Sequence, residues 1–167
     1  MDSLARAIRA AIKCYPDGTW LQARCHEARA IGRSRGGLTT KIHAAVDALG
    51  LPIRFELTSG QWADSPQAEG LIAGLEGVGH VIADSGYDTE PLRGFIAETL
   101  QAEVQIKRNR SRARRGPIDR GLYKERHLVE CFFNRIRRFR RIALRVEKTL
   151  ATFRAFVSIA CAMAWLA

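Results

Sequence analysis

Between residues 122 and 142, in "LYKERHLVECFFNRIRRFRRI", the apolar positions return every three or four residues. At ~100° per residue, Val129, Phe132, Phe133, Ile136, Phe139 and Ala143 share one broad face, which predicts a single helix lying on a core. "TLATFRAFVSIACAMAWL", at 149–166, predicts a last helix. Upstream the period shortens. "TTKIHAAVD" and "PIRFELTSG" read as two strands around "ALGL", where Gly50 and Pro52 favour a hairpin and Asp47 suits the turn. "HVIADSGYD" is a short apolar run that ends at a carboxylate, as a buried strand does, and "AEVQI" reads as another strand. Between them, "DSPQAEGLIAGLEG" opens with Asp64 as an N-cap and Pro66 in the first turn, and "TEPLRGFIAETL" is a helix capped by Thr89.

The order is therefore strand, strand, helix, strand, helix, strand, basic loop, helix, helix. Such alternation implies an α/β fold, a mixed sheet with helices on its faces. Residues 1–30 follow no such pattern. "MDSLARAIRAAIKC" predicts a short helix and "YPDGTW" a turn, so this atypical N-terminal segment stands apart from a domain at 31–167. "GRSRGGL" reads as a basic, Gly-rich loop, and "KRNRSRARRGP" as a second, far more cationic one.

Composition narrows the partner. The 167 residues suffice for one domain with a real core, and a hydrophobic content of 47% argues against disorder. Lys and Arg outnumber Asp and Glu by 27 to 17, giving a net charge of +10. Only Lys13, Lys41, Lys107, Lys124 and Lys148 are lysines. A chain so rich in guanidinium groups, which pair bidentately with phosphate, points to nucleic acid. A merely soluble basic domain has the same balance. Cys14, Cys25, Cys131 and Cys161 are scattered, matching neither a disulfide framework nor a zinc pattern, and suit a reducing compartment. No signal peptide is visible, and the apolar stretch 155–167 falls short of the ~20 residues that span a bilayer. The expected location is cytoplasmic, with no membrane partner.

The chemistry lies in two carboxylates. Tyr123, Arg126, Glu130 and Arg137 fall within ~60° of one another at the edge of the apolar helix face. A carboxylate there is half sheltered among guanidinium groups. Read alone, Glu130 is also a surface acid paired with Arg126 and Arg137. Asp84 ends an apolar strand, where ligands of α/β folds bind, and Gly86 lets the backbone turn beside it. Read alone, Asp84 is also a turn or cap residue. Together, an acid on a strand end and an acid on a packed helix supply what a divalent-metal phosphoryl-transfer site requires, with the arginines as phosphate contacts.

"LYKERHLVECFFNRIRR" resembles the Tyr-Arg-Glu-Lys signature of bacterial insertion-sequence transposases of the DDE type, Tyr-x2-Arg-x3-Glu-x6-Lys. Tyr123, Arg126 and Glu130 match, and Arg137 stands where the family has Lys. "ADSGYD" resembles the second-acid motif, and "GRSRGGLTTKIHAAVD" the segment before the second strand. The resemblance implies a ribonuclease-H-like fold and Mg²⁺ or Mn²⁺ held by catalytic acids, Asp84 and Glu130 among them. It implies cleavage and strand transfer at transposon ends, with double-stranded DNA, both ends and target, as partner. A homodimer and a full-length transposase are its candidate protein partners. Tyr123, Arg126, Arg137, Arg33, Arg35, Lys107, Arg108 and Arg110 are the expected DNA contacts.

The first acid departs from that pattern. The family places it in an Asp-Ser or Asp-Thr pair ending the first strand; Asp2-Ser3 offers the pair without a strand before it, and Asp17 reads as a turn residue. Asp2 is thus the candidate third metal ligand, and the first strand is expected to be missing or altered. The upstream DNA-binding region of full-length relatives is expected to be absent as well, as in a frameshifted or decayed copy. The alternative function is a catalytically inactive DNA-binding fragment. A simple nuclease shares the metals and fold but leaves the Tyr123-Arg126-Glu130 spacing unexplained.

Overall fold

A computed structural model describes residues 8–18, 30–34, 37–108 and 117–166. The hairpin expected around Gly50 forms: β3 (Gly37–Val46) and β4 (Pro52–Ser59) run antiparallel, with Ile42 opposite Leu57 and Ala44 opposite Phe55. Asp47 holds the turn, its carboxylate accepting the Leu49 and Leu51 N–H groups, each at 2.9 Å. Gly50 sits there at φ +77°, a backbone state that side chains resist.

The sheet differs from expectation at its centre. Residues read as a short helix and turn form β1 (Ile8–Gly18), which pairs antiparallel with β3 and parallel with β5 (Val78–Ala83). The first strand, expected to be missing or altered, is present, built from the N-terminal segment and without an Asp-Ser or Asp-Thr pair at its end. Ala, Arg and Lys favour helix locally, but pairing on two sides outweighs a propensity worth fractions of a kcal/mol per residue. Pro16, unwelcome in a central strand, lies beyond the last β5 partner, Ile12 opposite Ala83. Among the described residues β1 pairs there only with β3, so a missing N–H can face the other side.

Parallel to β5 on its other side runs β6 (Glu103–Ile106). A short β2 (Gly32–Ser34), from the stretch read as a Gly-rich loop, shares the outer edge of β3 with β4. The six-stranded sheet follows the order β2-β3-β1-β5-β6, with β4 off this path beside β3.

Each face carries helices. On one side, α1 (Ser65–Ile72) and α2 (Glu90–Gly94, continuing as a π-helical turn, Phe95–Thr99) bury Leu71, Ile72, Leu92 and Ile96 against Val81, Ala83 and Ile106. Asp64 and Thr89 occupy the N-cap positions, yet neither side chain makes a capping bond. Asp64 pairs with Lys41 at 2.7 Å instead. The other side holds α3 (Arg120–Lys124), α4 (His127–Ile136), α5 (Arg140–Ala143) and α6 (Leu150–Leu166). Val129, Phe132, Phe133 and Ile136 pack there with Ile42, Ala44, Val46, Phe153 and Val157.

The helix predicted over 122–142 is three pieces. A continuous helix would bury Phe139 and turn Ile142 well off the core face. The break after Ile136 reverses this, burying Ile142 at 1% exposure and leaving Phe139 at 36%. Among the described residues, no helix is long and apolar enough to cross a membrane.

Candidate functional site

Asp84 follows directly on β5, where the parallel strand ends and a single 3₁₀ turn, Ser85–Tyr87, begins. Its carboxylate accepts the Gly86 N–H at 2.8 Å. A Cβ at position 86 would sit 3.0 Å from that same oxygen, so glycine leaves the carboxylate its room. The capping role read for Asp84 is real and occupies one oxygen. Lys107 is the next position on β6 after the last pair, Ala83 opposite Ile106, so an exposed cation stands beside Asp84 at the sheet's end.

Glu130 reaches the same neighbourhood through α3 and α4. Asp119 caps α3, accepting from the Gly121 and Leu122 N–H groups at 2.7 and 3.1 Å. Its own N–H donates to Gln105 Oε1 at 3.0 Å, which ties the start of α3 to β6. The sequence reading passed over this tether, although Asp119 two residues before Gly121 is a visible capping signal. One turn on, Arg126 donates to Glu130 Oε1 at 2.7 Å and holds its guanidinium carbon 6.0 Å from the Tyr123 ring centroid.

The Tyr123 phenol registers both acids. Burial pushes its pKa above the ordinary value; Arg126 opposes this, while the charges of Asp84 and of Glu130 both push it further up. Carboxylates from a strand end and from a helix thus act on one hydroxyl. Tyr123, Arg126 and Glu130 are in mutual contact, and the charge of Asp84 bears on the Tyr123 phenol from the end of β5.

The other expected site residues are more dispersed. Asp2, Arg35 and Arg110 lie outside the described residues. Arg33 lies in β2, separated from β5 by β3 and β1. Arg108 pairs with Glu90 at 3.1 Å. Arg137 caps the end of α4 and is exposed. A groove lined by Ala30, Leu57, Thr58, Ser59, Trp62 and Leu150 opens near the end of β4 and includes none of the acids.

Two carboxylates suit a hard divalent cation, which takes oxygen ligands. One of them already carries a guanidinium. Among the described residues no three His, Cys, Asp or Glu side chains form a metal-holding group. The positions of β1 that run alongside Asp84 are Ile12, Lys13 and Cys14, none of them acidic.

The fold and the acid pair define a mixed α/β domain with one carboxylate at the end of a parallel strand and another on a basic helix. Residues 16–165 match the transposase DDE domain family. A protein of Brucella ovis (strain ATCC 25840 / 63/290 / NCTC 10512), named "Putative transposase for insertion sequence element IS6501", is 59% identical over 129 residues, covering 77% of this chain and 99% of that protein. The chain belongs to the DDE transposases of insertion sequences, a family whose work is DNA transposition. A cryo-EM structure of the piggyBac transposase synaptic complex with hairpin DNA aligns at a TM-score of 0.46 and 14% identity, over 63% of this chain and 24% of that one. The chain thus spans about a quarter of that structural neighbour's length.

Proposed function

We propose that this chain is the catalytic-domain part of an insertion-sequence transposase, acting on duplex DNA at transposon ends and target, with the sheet that begins at β1 and the helices on it, rather than residues 31–167 alone, as its ribonuclease-H-like portion. The observation that carries the reading is the match of residues 16–165 to the transposase DDE domain family, with Asp84 at the end of β5 and Glu130 on α4 as its candidate acids. The sheet supports it too: antiparallel β4-β3-β1 continues into parallel β5 and β6, with helices on both faces. Asp84 and Glu130 are the residues to hold Mg²⁺ or Mn²⁺, and such an ion supplies charge stabilisation at a phosphodiester. Arg126 positions Glu130, and Lys107, Arg108 and Arg137 line the approach for phosphates. DNA as the substrate implies a cytoplasmic location.

The register of β1 favours a second reading, in which the chain binds DNA without cutting it. A catalytic acid must be held within fractions of an ångström. No carboxylate of β1 adjoins Asp84.

A nicking assay on the insertion-sequence end, with Mg²⁺ or Mn²⁺, separates the two. Metal-dependent cleavage lost in Asp84→Asn and in Glu130→Gln establishes the enzyme, and loss in Asp2→Ala as well identifies Asp2 as the third acid. Binding without cleavage under either metal establishes the inactive form. Cleavage that survives both Asp84→Asn and Glu130→Gln sinks the assignment of these acids.

A further inference from the structure

We propose that Arg138 and Arg140, at the corner between α4 and α5, form a phosphate-backbone contact for duplex DNA separate from the acid pair. The inference rests on the reading of this chain as a DNA-binding transposase domain.

Between Glu130 and Glu147 the chain has no carboxylate and six arginines: Arg135, Arg137, Arg138, Arg140, Arg141 and Arg145. The fold sorts them. Arg135 donates to the Ala164 carbonyl at 3.3 Å, Arg141 to Glu147 at 2.6 Å, and the buried Arg145 to the Ala30 carbonyl at 3.1 Å. Those three work inside the molecule. Arg138 and Arg140 are exposed, and no described residue forms an ion pair or side-chain hydrogen bond with either. The nearest following acid, Glu147, is already taken by Arg141.

An ordinary structural cause accounts for only one of the two. Arg138 follows the C-terminal end of α4, where a helix dipole favours a cation. Arg140 opens α5, the end at which the dipole disfavours one. Like charges crowded without a counter-charge weaken the fold, and a polyanion removes that penalty.

The corner is also preformed. Ile136 and Ile142 anchor it from either side, both buried, and the Phe139 N–H donates to the Ile136 carbonyl at 3.1 Å. Phe139 is extended, so the Cα atoms of Arg138 and Arg140 stand ~6–7 Å apart, close to the step between successive phosphates on one strand. Little ordering is left for binding to impose.

The test is the salt dependence of full-chain binding to a fluorescein-labelled duplex, followed by anisotropy. Each lost phosphate contact lowers the slope of log K against log salt by ~0.9. Arg138→Gln/Arg140→Gln is expected to reduce the slope by about 2, equally for unrelated sequences, with a melting temperature no lower than that of the wild type. Arg138→Lys/Arg140→Lys is expected to restore most of it. A wild-type slope in the Gln variant overturns the corner contact and leaves the DNA-binding reading standing. Failure of the wild-type chain to bind duplex at ~50 mM salt overturns both.

Discussion

Arg126 and Glu130 lie 2.7 Å apart, one helical turn from each other, at the start of α4, where Arg126 occupies the N-cap position. Glu130 has a partner within its own segment, and that partner also lies over Tyr123.

Removing the partner therefore acts mainly on the site. Both side chains are partly exposed, at 28% and 38%, so Arg126→Gln is expected to cost no more than ~0.5 kcal/mol. The same change should raise the Tyr123 pKa further, because Arg126 is what holds it down. NMR titration of labelled tyrosine reads this directly. Because Arg126 is already paired, its loss should lower the salt slope of DNA binding by less than a full unit. A drop of one unit or more would make Arg126 a phosphate contact after all.

Asp84 and Glu130 both raise the Tyr123 pKa, so Asp84→Asn and Glu130→Gln should each lower it. A divalent cation held between them should do likewise in the wild-type chain. Millimolar Mg²⁺ that shifts Tyr123 downward in the wild type and not in the double variant supports a shared ion. An equal Mg²⁺ effect in both proteins would place the ion elsewhere.

His43 predicts an acid-sensitive fold. It is enclosed in β3, with Nε2 2.7 Å from Thr58 Oγ1, and burial lowers its pKa to about 4; Asp64 and Glu56 oppose the shift and Lys41 adds to it. The unfolded chain, with a His pKa near ~6.5, takes up the proton first. Its contribution is fully present above ~6.5 and is lost as pH falls toward 4, by at most on the order of 3 kcal/mol. Urea unfolding at a series of pH values checks this. In His43→Gln the slope between about pH 6.5 and 4 should flatten, and an unchanged slope would assign the effect to other groups.

The Asp88 carboxylate is fully enclosed and accepts from Arg93 Nε at 2.7 Å, while Arg93 Nη2 donates to the Ile106 carbonyl at 2.6 Å. This links the start of α2 to the end of β6, beside Asp84. Arg93→Met removes the ion-pair partner of a buried carboxylate and is expected to cost about 3 kcal/mol in chemical denaturation. Arg93→Met/Asp88→Leu, which removes both charges, should recover part of that loss. A single variant as stable as the wild type would show that Asp88 has other adequate support.

Local pattern alone determined much of this protein. The turn at Asp47 and Gly50, the strand that ends at Asp84 and the apolar face Val129-Phe132-Phe133-Ile136 are set by periodicity and turn chemistry, which act between residues a few positions apart. The motif spacing around Tyr123, Arg126 and Glu130 made the family legible as well. Only the tertiary structure decided the rest. β1 is a strand because β3 and β5 offer it pairing on both sides, against the helical leaning of Ala, Arg and Lys. The long helix breaks because Ile142, rather than Phe139, reaches the core. Asp119 sets α3 against the sheet through Gln105, a contact between residues far apart in the chain. In each case the deciding energy comes from long-range burial or pairing, which exceeds the fractions of a kcal/mol that local preference contributes at any one residue.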